Sequence, residues 1–428
     1  MDHLADGLGR RRFLTMLVAA PTLTLATRLL GPETAHAALR TPGVADVVDL
    51  GDVLMLAGAP TSHMLVLEVR EDGTIRMQLP RAEVGQGITT AIGMLVAEEL
   101  DLPLSKVEVR LDDARSELLM NQLTGGSNTI RSMYEPVRST AALARARLVA
   151  AAAKEWGVPA ERLSTRAGTV VAPDGRTAAY GLLSALATRS ALPDVRATPK
   201  PESEHRLVGK PTSRVDARAM VTGKLQYTLD LDVPGAMPTV LKRPPTIRGS
   251  VRSVDDAAAR KMPGVLGIAV IPTGVAVMAE TFGQAIQARD ALRVTWDDGT
   301  IDGLSDDDIR VKLRAAAQPF TVPKGLTKTV DGEFDFAFAS HAPMETNSAV
   351  ADVRGDRAEI WAGLKSPVVA KQTIAQAIGL SEDKVTVHVV QGGGSFGRRL
   401  FFDAALEAAQ VSKKLGRPVK LMWTRVDD

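Results

Sequence analysis

Apolar positions along this chain keep two rhythms, and the switch between them predicts where its elements lie. Residues 64–69, 106–111, 275–279, 384–390 and 418–423 are short β-branched or alternating runs, which predict strands. Residues 89–100, 129–156, 282–292 and 401–415 place apolar side chains three and four apart, which predicts helices. The longest of these is rich in alanine and stops at Gly157, with Pro159 behind it. Polar, proline-containing stretches at 192–211 and 297–325 read as linkers. The chain therefore divides into blocks at 47–190, 205–300 and 330–428. Each mixes strands and helices without an internal repeat, and the expected class is α+β.

Composition narrows the function more than the fold. At 428 residues the chain exceeds one ordinary core, and 45% apolar with 24% charged residues describes a globular protein. A net charge of +2 and an aromatic content of 4% argue against a nucleic-acid partner. There is no cysteine, so the chain can form no disulfide, no iron–sulfur cluster and no cysteine-ligated zinc site. Any redox relay must lie on another polypeptide.

Residues 1–37 read as a targeting segment outside the fold. Arg10, Arg11, Arg12, Phe13 and Leu14 carry a twin-arginine pattern, an apolar run follows over 16–30, and Ala35-His36-Ala37 supplies a cleavage site. Arg28, Pro21 and Pro32 interrupt the run, which favours export over a membrane anchor. Twin-arginine export carries folded proteins, which suits a cofactor inserted before translocation, and the expected location is the periplasm or cell envelope. At the other end, Asp428 falls just after a predicted strand, so a truncated product or a partial gene model is expected.

Three glycine loops carry the candidate chemistry. Gly392 to Gly397, with Ser395, Phe396, Arg398 and Arg399, lies between a predicted strand and a predicted helix, where free N–H groups favour an anion. Arg398 and Arg399 would occupy the helix's first turn and need a negative neighbour. The spacing also satisfies G-x-G-x-x-G, so a Rossmann site for NADP with Arg425 nearby stays open, as does a turn without ligand. Phe396 inside the turn and the single strand that follows weigh against the Rossmann reading. The second loop is Glu83, Val84, Gly85, Gln86 and Gly87, with Thr89 and Thr90 opening a helix. Gln86 offers both a donor and an acceptor there, although a solvated turn would look the same. The third is Thr124, Gly125, Gly126, Ser127 and Asn128, where simple capping by Ser127 or Asn128 is an equal alternative. Taken together the three point to one extended anionic cofactor. His341 and Glu345, with Pro343 between them, read as a structural turn, and no residue is expected as a metal ligand.

With these residues in view, the chain resembles the molybdenum-cofactor-binding subunits of the xanthine oxidase and aldehyde oxidase superfamily. It is most similar to the branch of isoquinoline 1-oxidoreductase β subunits and exported aldehyde dehydrogenase large subunits. The V-G-Q-G and G-G-S patterns fall at Val84 to Gly87 and Gly125 to Ser127, on the N-terminal side as in that branch. The α/β hammerhead pattern matches Arg214, Asp216, Val221, Thr222, Gly223, Tyr227 and Asp230. H-A-P-M-E matches at His341 to Glu345, G-G-x-F-G-R-R near Gly393 to Arg399, and the closing pattern at Pro418 to Asp428. The resemblance implies a molybdenum hydroxylase large-subunit architecture with its C-terminal half missing. It implies molybdopterin cytosine dinucleotide held by Gly85, Gln86, Gly87, Gly125, Gly126 and Ser127. Gly394, Ser395, Phe396, Gly397 and Arg398 would lie beside the molybdenum, with Phe396 walling the substrate slot.

The implied reaction hydroxylates an aldehyde or an N-heterocycle with water as oxygen source. Electrons leave through [2Fe–2S] clusters on a small partner subunit, and a cytochrome c is a further acceptor that the family allows. Two departures matter. The family's Trp-x-x-Thr-Gln pattern reads Trp361, Ala362, Gly363, Leu364 and Lys365, so a lysine replaces the glutamine. The base glutamate of a G-x-G-E turn has no match and is expected beyond Asp428, so no catalytic residue is assigned. A catalytically silent cofactor-binding or assembly fragment is the competing reading.

Overall fold

The computed structural model describes residues 14–15, 23–27, 65–119, 121–189, 192, 195–317, 325, 328, 330–337 and 339–428. A five-stranded sheet opens the chain, with strands in sequence order: β1 (Leu14–Thr15), β2 (Leu23–Thr27), β3 (Leu65–Val69), β4 (Ile75–Leu79) and β5 (Val107–Leu111). Alternate residues of β3 and β4 are buried, as a sheet with one covered face requires. The cover is α1 (Ile88–Glu99), α2 (Asn128–Trp156) and α3 (Tyr180–Arg189), whose apolar residues share one core with the strands. A three-stranded sheet of β6 (Ser164–Arg166), β7 (Thr169–Val171) and β8 (Thr177–Ala179) lies between α2 and α3 in sequence. Gly157 caps α2 with φ 63°, a left-handed conformation that glycine adopts freely.

Strand β2 falls within residues 1–37, the stretch expected to be a targeting segment. It pairs antiparallel with β3, Leu23 opposite Val69 and Thr27 opposite Leu65. The cause is shared: an apolar run suited to a leader also suits the open edge of a sheet. Arg10–Arg12 and Ala35–Ala37 lie outside the described residues.

The remaining strands are β9 (Met237–Lys242), β10 (Ser250–Asp255), β11 (Val265–Ile271), β12 (Gly274–Ala279), β13 (Arg293–Asp297), β14 (Ser348–Arg354), β15 (Arg357–Ala362), β16 (Val385–Val389) and β17 (Val419–Met422). Seven of them form one sheet in the order β11-β12-β9-β17-β14-β15-β16, and β10 pairs with β13. The blocks 205–300 and 330–428 therefore share a sheet, joined where β17 runs parallel to β9 with Val419 opposite Met237. The sequence boundary between them separates chain segments, not layers. Helices α4 (Ala217–Val221), α5 (Ala257–Arg260), α6 (Phe282–Ala291), α7 (Asp306–Ala316), α8 (Pro367–Ile378) and α9 (Asp403–Leu415) complete the chain. The fold is α+β. Strands β16 and β17 are not neighbours, since β14 and β15 stand between them, and this removes the Rossmann reading, which needs them side by side and parallel. Among the described residues no helix is long and apolar enough to cross a membrane.

The stretch read as a linker at 192–211 is a strap across α1. Glu98 accepts the N–H groups of Arg206, Leu207 and Val208 at 2.9, 2.6 and 2.9 Å, and Glu99 accepts that of Lys200 at 3.0 Å. Burial opposes the Glu98 charge, but the three backbone donors outweigh it and hold the carboxyl below its ordinary range. A second tie brings the first block onto the last sheet: the Ala114 N–H donates to Val387 O at 2.8 Å.

Candidate functional site

The three glycine loops meet. Gly392 N–H donates to Glu83 O at 2.9 Å, joining the loop after β16 to the loop before α1. Ala82 N–H donates to Thr124 Oγ1 at 2.9 Å, joining the loop before α1 to the loop before α2. Thr124 N–H donates to Lys365 O and Lys365 N–H to Arg399 O, each at 2.9 Å, which closes the ring. Segments some 300 residues apart in sequence, 82–87 and 391–399, are thus hydrogen-bonded neighbours.

A buried ion pair shapes the loop after β16. Arg399 is 2% exposed, and its guanidinium donates to Gly394 O at 2.6 Å, Gly363 O at 2.9 Å, and Glu345 Oε2 at 2.7 Å. Burial pulls the guanidinium below its ordinary range, with Glu345 opposing. The same Glu345 oxygen accepts Gly393 N–H at 2.7 Å. A Cβ on Gly393 would stand 2.5 Å from Glu345 Cβ, so the approach requires glycine. Glu345 thus does more than end a turn: it fixes the loop's entry and neutralises Arg399.

Beyond Gly393 the backbone runs largely at positive φ. Gly394, Phe396 and Gly397 have φ of 113°, 51° and 100°. Among the described residues no acceptor faces the N–H groups of Gly394, Ser395, Phe396 or Gly397, four donors in a row. Such a run is an anion cradle. Phe396 bears the left-handed strain that a non-glycine residue meets there.

Several expected roles need correction. Arg398 and Arg399 do not open the helix, because a 3₁₀ turn at Arg398–Leu400 intervenes and α9 starts at Asp403. Arg398 pairs with Asp403 at 2.8 Å and lies 5.0 Å over the Trp423 ring, so a protein carboxylate supplies its negative neighbour. Phe396 is 71% exposed. Gln86 folds back on its own loop: its Oε1 accepts Val84 N–H at 2.7 Å and its Nε2 donates to Ala82 O at 2.8 Å. Arg425 holds Pro343 O at 2.6 Å and Asp428 at 2.7 Å, not a nucleotide phosphate.

The anion at the start of α1 is the chain's own. The fully buried Glu83 carboxylate accepts the N–H groups of Gly85, Gly87 and Thr89 at 2.9, 3.0 and 3.2 Å. Arg214 braces the same loop, donating to Gly85 O at 2.6 Å while its other donors grip Asp216. The R-x-D pair therefore locks the hammerhead entry onto the first loop. Before α2, Asn128 Oδ1 accepts Gly125 N–H at 3.3 Å, and Gly126 and Ser127 stay exposed with left-handed φ of 55° and 53°. Neither residue caps the helix: Ser127 Oγ makes no capping bond, and the Asn128 side chain ties back to Gly125 N–H and Leu123 O.

Sequence reasoning missed Glu83 as a loop former; the available signal was a carboxylate two residues ahead of a glycine at a helix start. It also passed over Gln391, whose buried Nε2 has no acceptor among the described residues, and the same holds for Asn347 Nδ2. Lys365 is 8% exposed, and its ammonium has no hydrogen-bond or ion-pair partner among the described residues. Burial pulls it below the ordinary lysine range. Gln391 Nε2, Asn347 Nδ2 and the Asp428 Oδ1 acceptor are all buried without a partner among the described residues. Among the described residues no three His, Cys, Asp or Glu side chains are grouped to hold a metal ion. A separate cavity of about 560 Å³, lined by Asp232, Asp352, Glu359 and Trp361 among others, takes no residue from the loops.

Comparison with known proteins agrees with this geometry. Residues 43–211 and 322–428 each match a family described as a molybdopterin cofactor-binding domain. The chain is 30% identical to the β chain of isoquinoline 1-oxidoreductase from Brevundimonas diminuta, over 86% of this chain and 55% of that protein. It is 31% identical to the membrane-bound aldehyde dehydrogenase (pyrroloquinoline-quinone) of Gluconacetobacter polyoxogenes, over 84% of this chain and 50% of that one. With a nicotinate dehydrogenase subunit from Pseudomonas putida it shares 29% identity, over 84% of this chain and 32% of that one. The chain spans about half the length of these relatives, or less.

Proposed function

Because this chain belongs to the molybdenum-cofactor-binding subunits of the xanthine oxidase and aldehyde oxidase family, we propose that its three loops seat molybdopterin cytosine dinucleotide in a hydroxylase. The substrate class is an aldehyde or an N-heteroaromatic ring, and water is the oxygen source. One observation carries the reading: three loops remote in sequence are hydrogen-bonded to one another and leave a run of donors unfilled from Gly394 to Gly397.

When bound, the cofactor supplies two-electron redox chemistry at the substrate carbon. The chain's part is binding and orientation. Gly394, Ser395, Phe396 and Gly397 offer backbone N–H groups, Gly126 and Ser127 offer an exposed turn, and Gly85, Gln86 and Gly87 offer a surface fixed from below by Glu83. Glu83 and Glu345 are both committed to backbone donors, so neither serves as the proton acceptor. Electrons pass to a partner subunit carrying [2Fe–2S] clusters, which agrees with the lack of cysteine here, and onward to an acceptor such as a cytochrome c. Export by the twin-arginine route, from Arg10, Arg11 and Arg12, belongs to the same reading.

Protein produced with its partner subunit and full cofactor synthesis is analysed for metal and for acid-released nucleotide. The reading expects molybdenum and CMP in equal amounts. Bound nicotinamide, or protein free of molybdenum, contradicts it.

A further inference from the structure

One stretch of the last block keeps a strand's rhythm without a strand's partner. Val330, Phe334, Phe336 and Phe338 alternate in the sequence with Asp331, Glu333 and Asp335, the period of a strand with one apolar and one acidic side. The apolar side is bare: Val330 is 98% exposed, Phe334 78% and Phe336 90%. Residues 330–337 belong to no helix or sheet, and among the described residues none of their backbone N–H or C=O groups is hydrogen-bonded. Their only hydrogen bond among those residues joins Glu333 Oε1 to Arg314 of α7 at 2.7 Å. Helix α7 itself buries no residue, so this contact brings the stretch no core. Single apolar side chains on a surface call for no account, but alternate apolar positions on unpaired backbone form a template for another strand.

We propose that residues 330–337 are a docking strand, which adds by β-pairing to a partner polypeptide strand of alternating apolar and basic residues. Charge chooses the occupant. Asp331, Glu333 and Asp335 fall on one side, and no lysine or arginine lies within the stretch. Opposite charges facing each other across a strand pair stabilise it, and like charges destabilise it. A second copy of the stretch is therefore a poor occupant, because antiparallel self-pairing sets acid against acid. A strand with basic side chains on one side and apolar ones on the other satisfies both sides of 330–337 at once. The stretch leads into His341 to Glu345, and Glu345 holds Gly393 and Arg399. Docking there fixes the approach to the loop after β16 from outside the described fold. The proposal needs no cofactor in that loop and stands apart from the cofactor reading.

The test uses the full chain and two synthetic peptides, one alternating lysine with valine and one alternating glutamate with valine. Fluorescence anisotropy reads affinity, and hydrogen exchange resolved by mass spectrometry reads where each peptide protects the chain. The lysine peptide is expected to bind at least roughly tenfold more tightly, the worth of a few facing charge pairs. It is also expected to protect the amides of 330–337. Asp331→Lys combined with Asp335→Lys is expected to reverse the preference between the peptides. Phe334→Ser combined with Phe336→Ser is expected to abolish binding and, since both side chains are exposed, to leave the melting temperature of the free chain unchanged. Failure of the lysine peptide to bind, protection confined to other residues, or a preference that charge reversal leaves in place overturns the proposal. A lower melting temperature in the double serine variant also overturns it, because the chain's own residues would then already cover this side. Self-association of the free chain that the same variant abolishes makes a second copy the occupant, and that result equally contradicts the proposal.

Discussion

Glu345 Oε2 accepts two hydrogen bonds at 2.7 Å, one from Arg399 Nη2 and one from Gly393 N–H. One carboxylate oxygen thereby fixes both the entry and the exit of the glycine loop. Glu345→Gln removes the charge that neutralises a buried guanidinium, and a loss of about 3 kcal/mol is expected. Denaturant unfolding measures it. Arg399→Lys is expected to fail as a substitute, because an ammonium cannot span Gly363 O, Gly394 O and Glu345 as the planar fork does.

Gly393→Ala sets a new methyl group 2.5 Å from Glu345 Cβ, and overpacking of this kind costs about 1–3 kcal/mol. Gly73→Ala is the comparison. At φ 77° with open space around it, it meets only conformational strain, about 1 kcal/mol. Molybdenum content is expected to fall in the first variant and to hold in the second.

Glu83→Gln replaces the carboxylate that gathers Gly85, Gly87 and Thr89 N–H. Those amides are expected to exchange with solvent at least about tenfold faster, while amides in the core of α2 keep their rates. Hydrogen exchange resolved by mass spectrometry decides it, and equal rates in both proteins would mean that Glu83 is a bystander.

Acid dependence has a sign fixed by Asp112. Burial raises its carboxyl from 3.8 to about 6, against the pull of Arg115. Between those values the folded chain binds a proton that the unfolded chain has released. Its contribution is therefore complete below pH 3.8 and is lost as pH rises through about 6. Asp112→Asn is expected to remove roughly 3 kcal/mol of that decline. Glu98 acts in the opposite sense: its carboxyl is lowered, so its contribution is present at neutral pH and lost on acidification. Unfolding free energies across this window, compared between wild type and Asp112→Asn, separate the two.

Local patterns in the sequence revealed local structure. The apolar spacing of 129–156 and the stop at Gly157 gave α2 to within a residue, and β3, β5 and β16 were visible as alternating or β-branched runs. What the residues could not reveal locally was set by partners far away in sequence. Parallel pairing of β17 with β9 leaves no mark on either strand, so two blocks were expected where one sheet exists. Arg399 looked like a helix-turn cation because its partner, Glu345, lies far upstream in the sequence. Gln86 looked like a ligand-facing amide because nothing in V-G-Q-G says that the side chain will close onto Ala82 and Val84. The three loops were legible as glycine-rich turns before helices, and the family resemblance joined them. Their contact through Glu83, Thr124, Lys365 and Gly392 required the fold.

The claim that one ligand spans all three loops is tested most directly by comparing hydrogen exchange in cofactor-loaded and cofactor-free protein. The account predicts that loading protects Gly394 to Gly397 together with Gly126 and Ser127, while Gly85 and Gly87, already bonded to Glu83, change little. Protection confined to the cavity at Asp232, Asp352 and Glu359, or absent from all three loops, would contradict it.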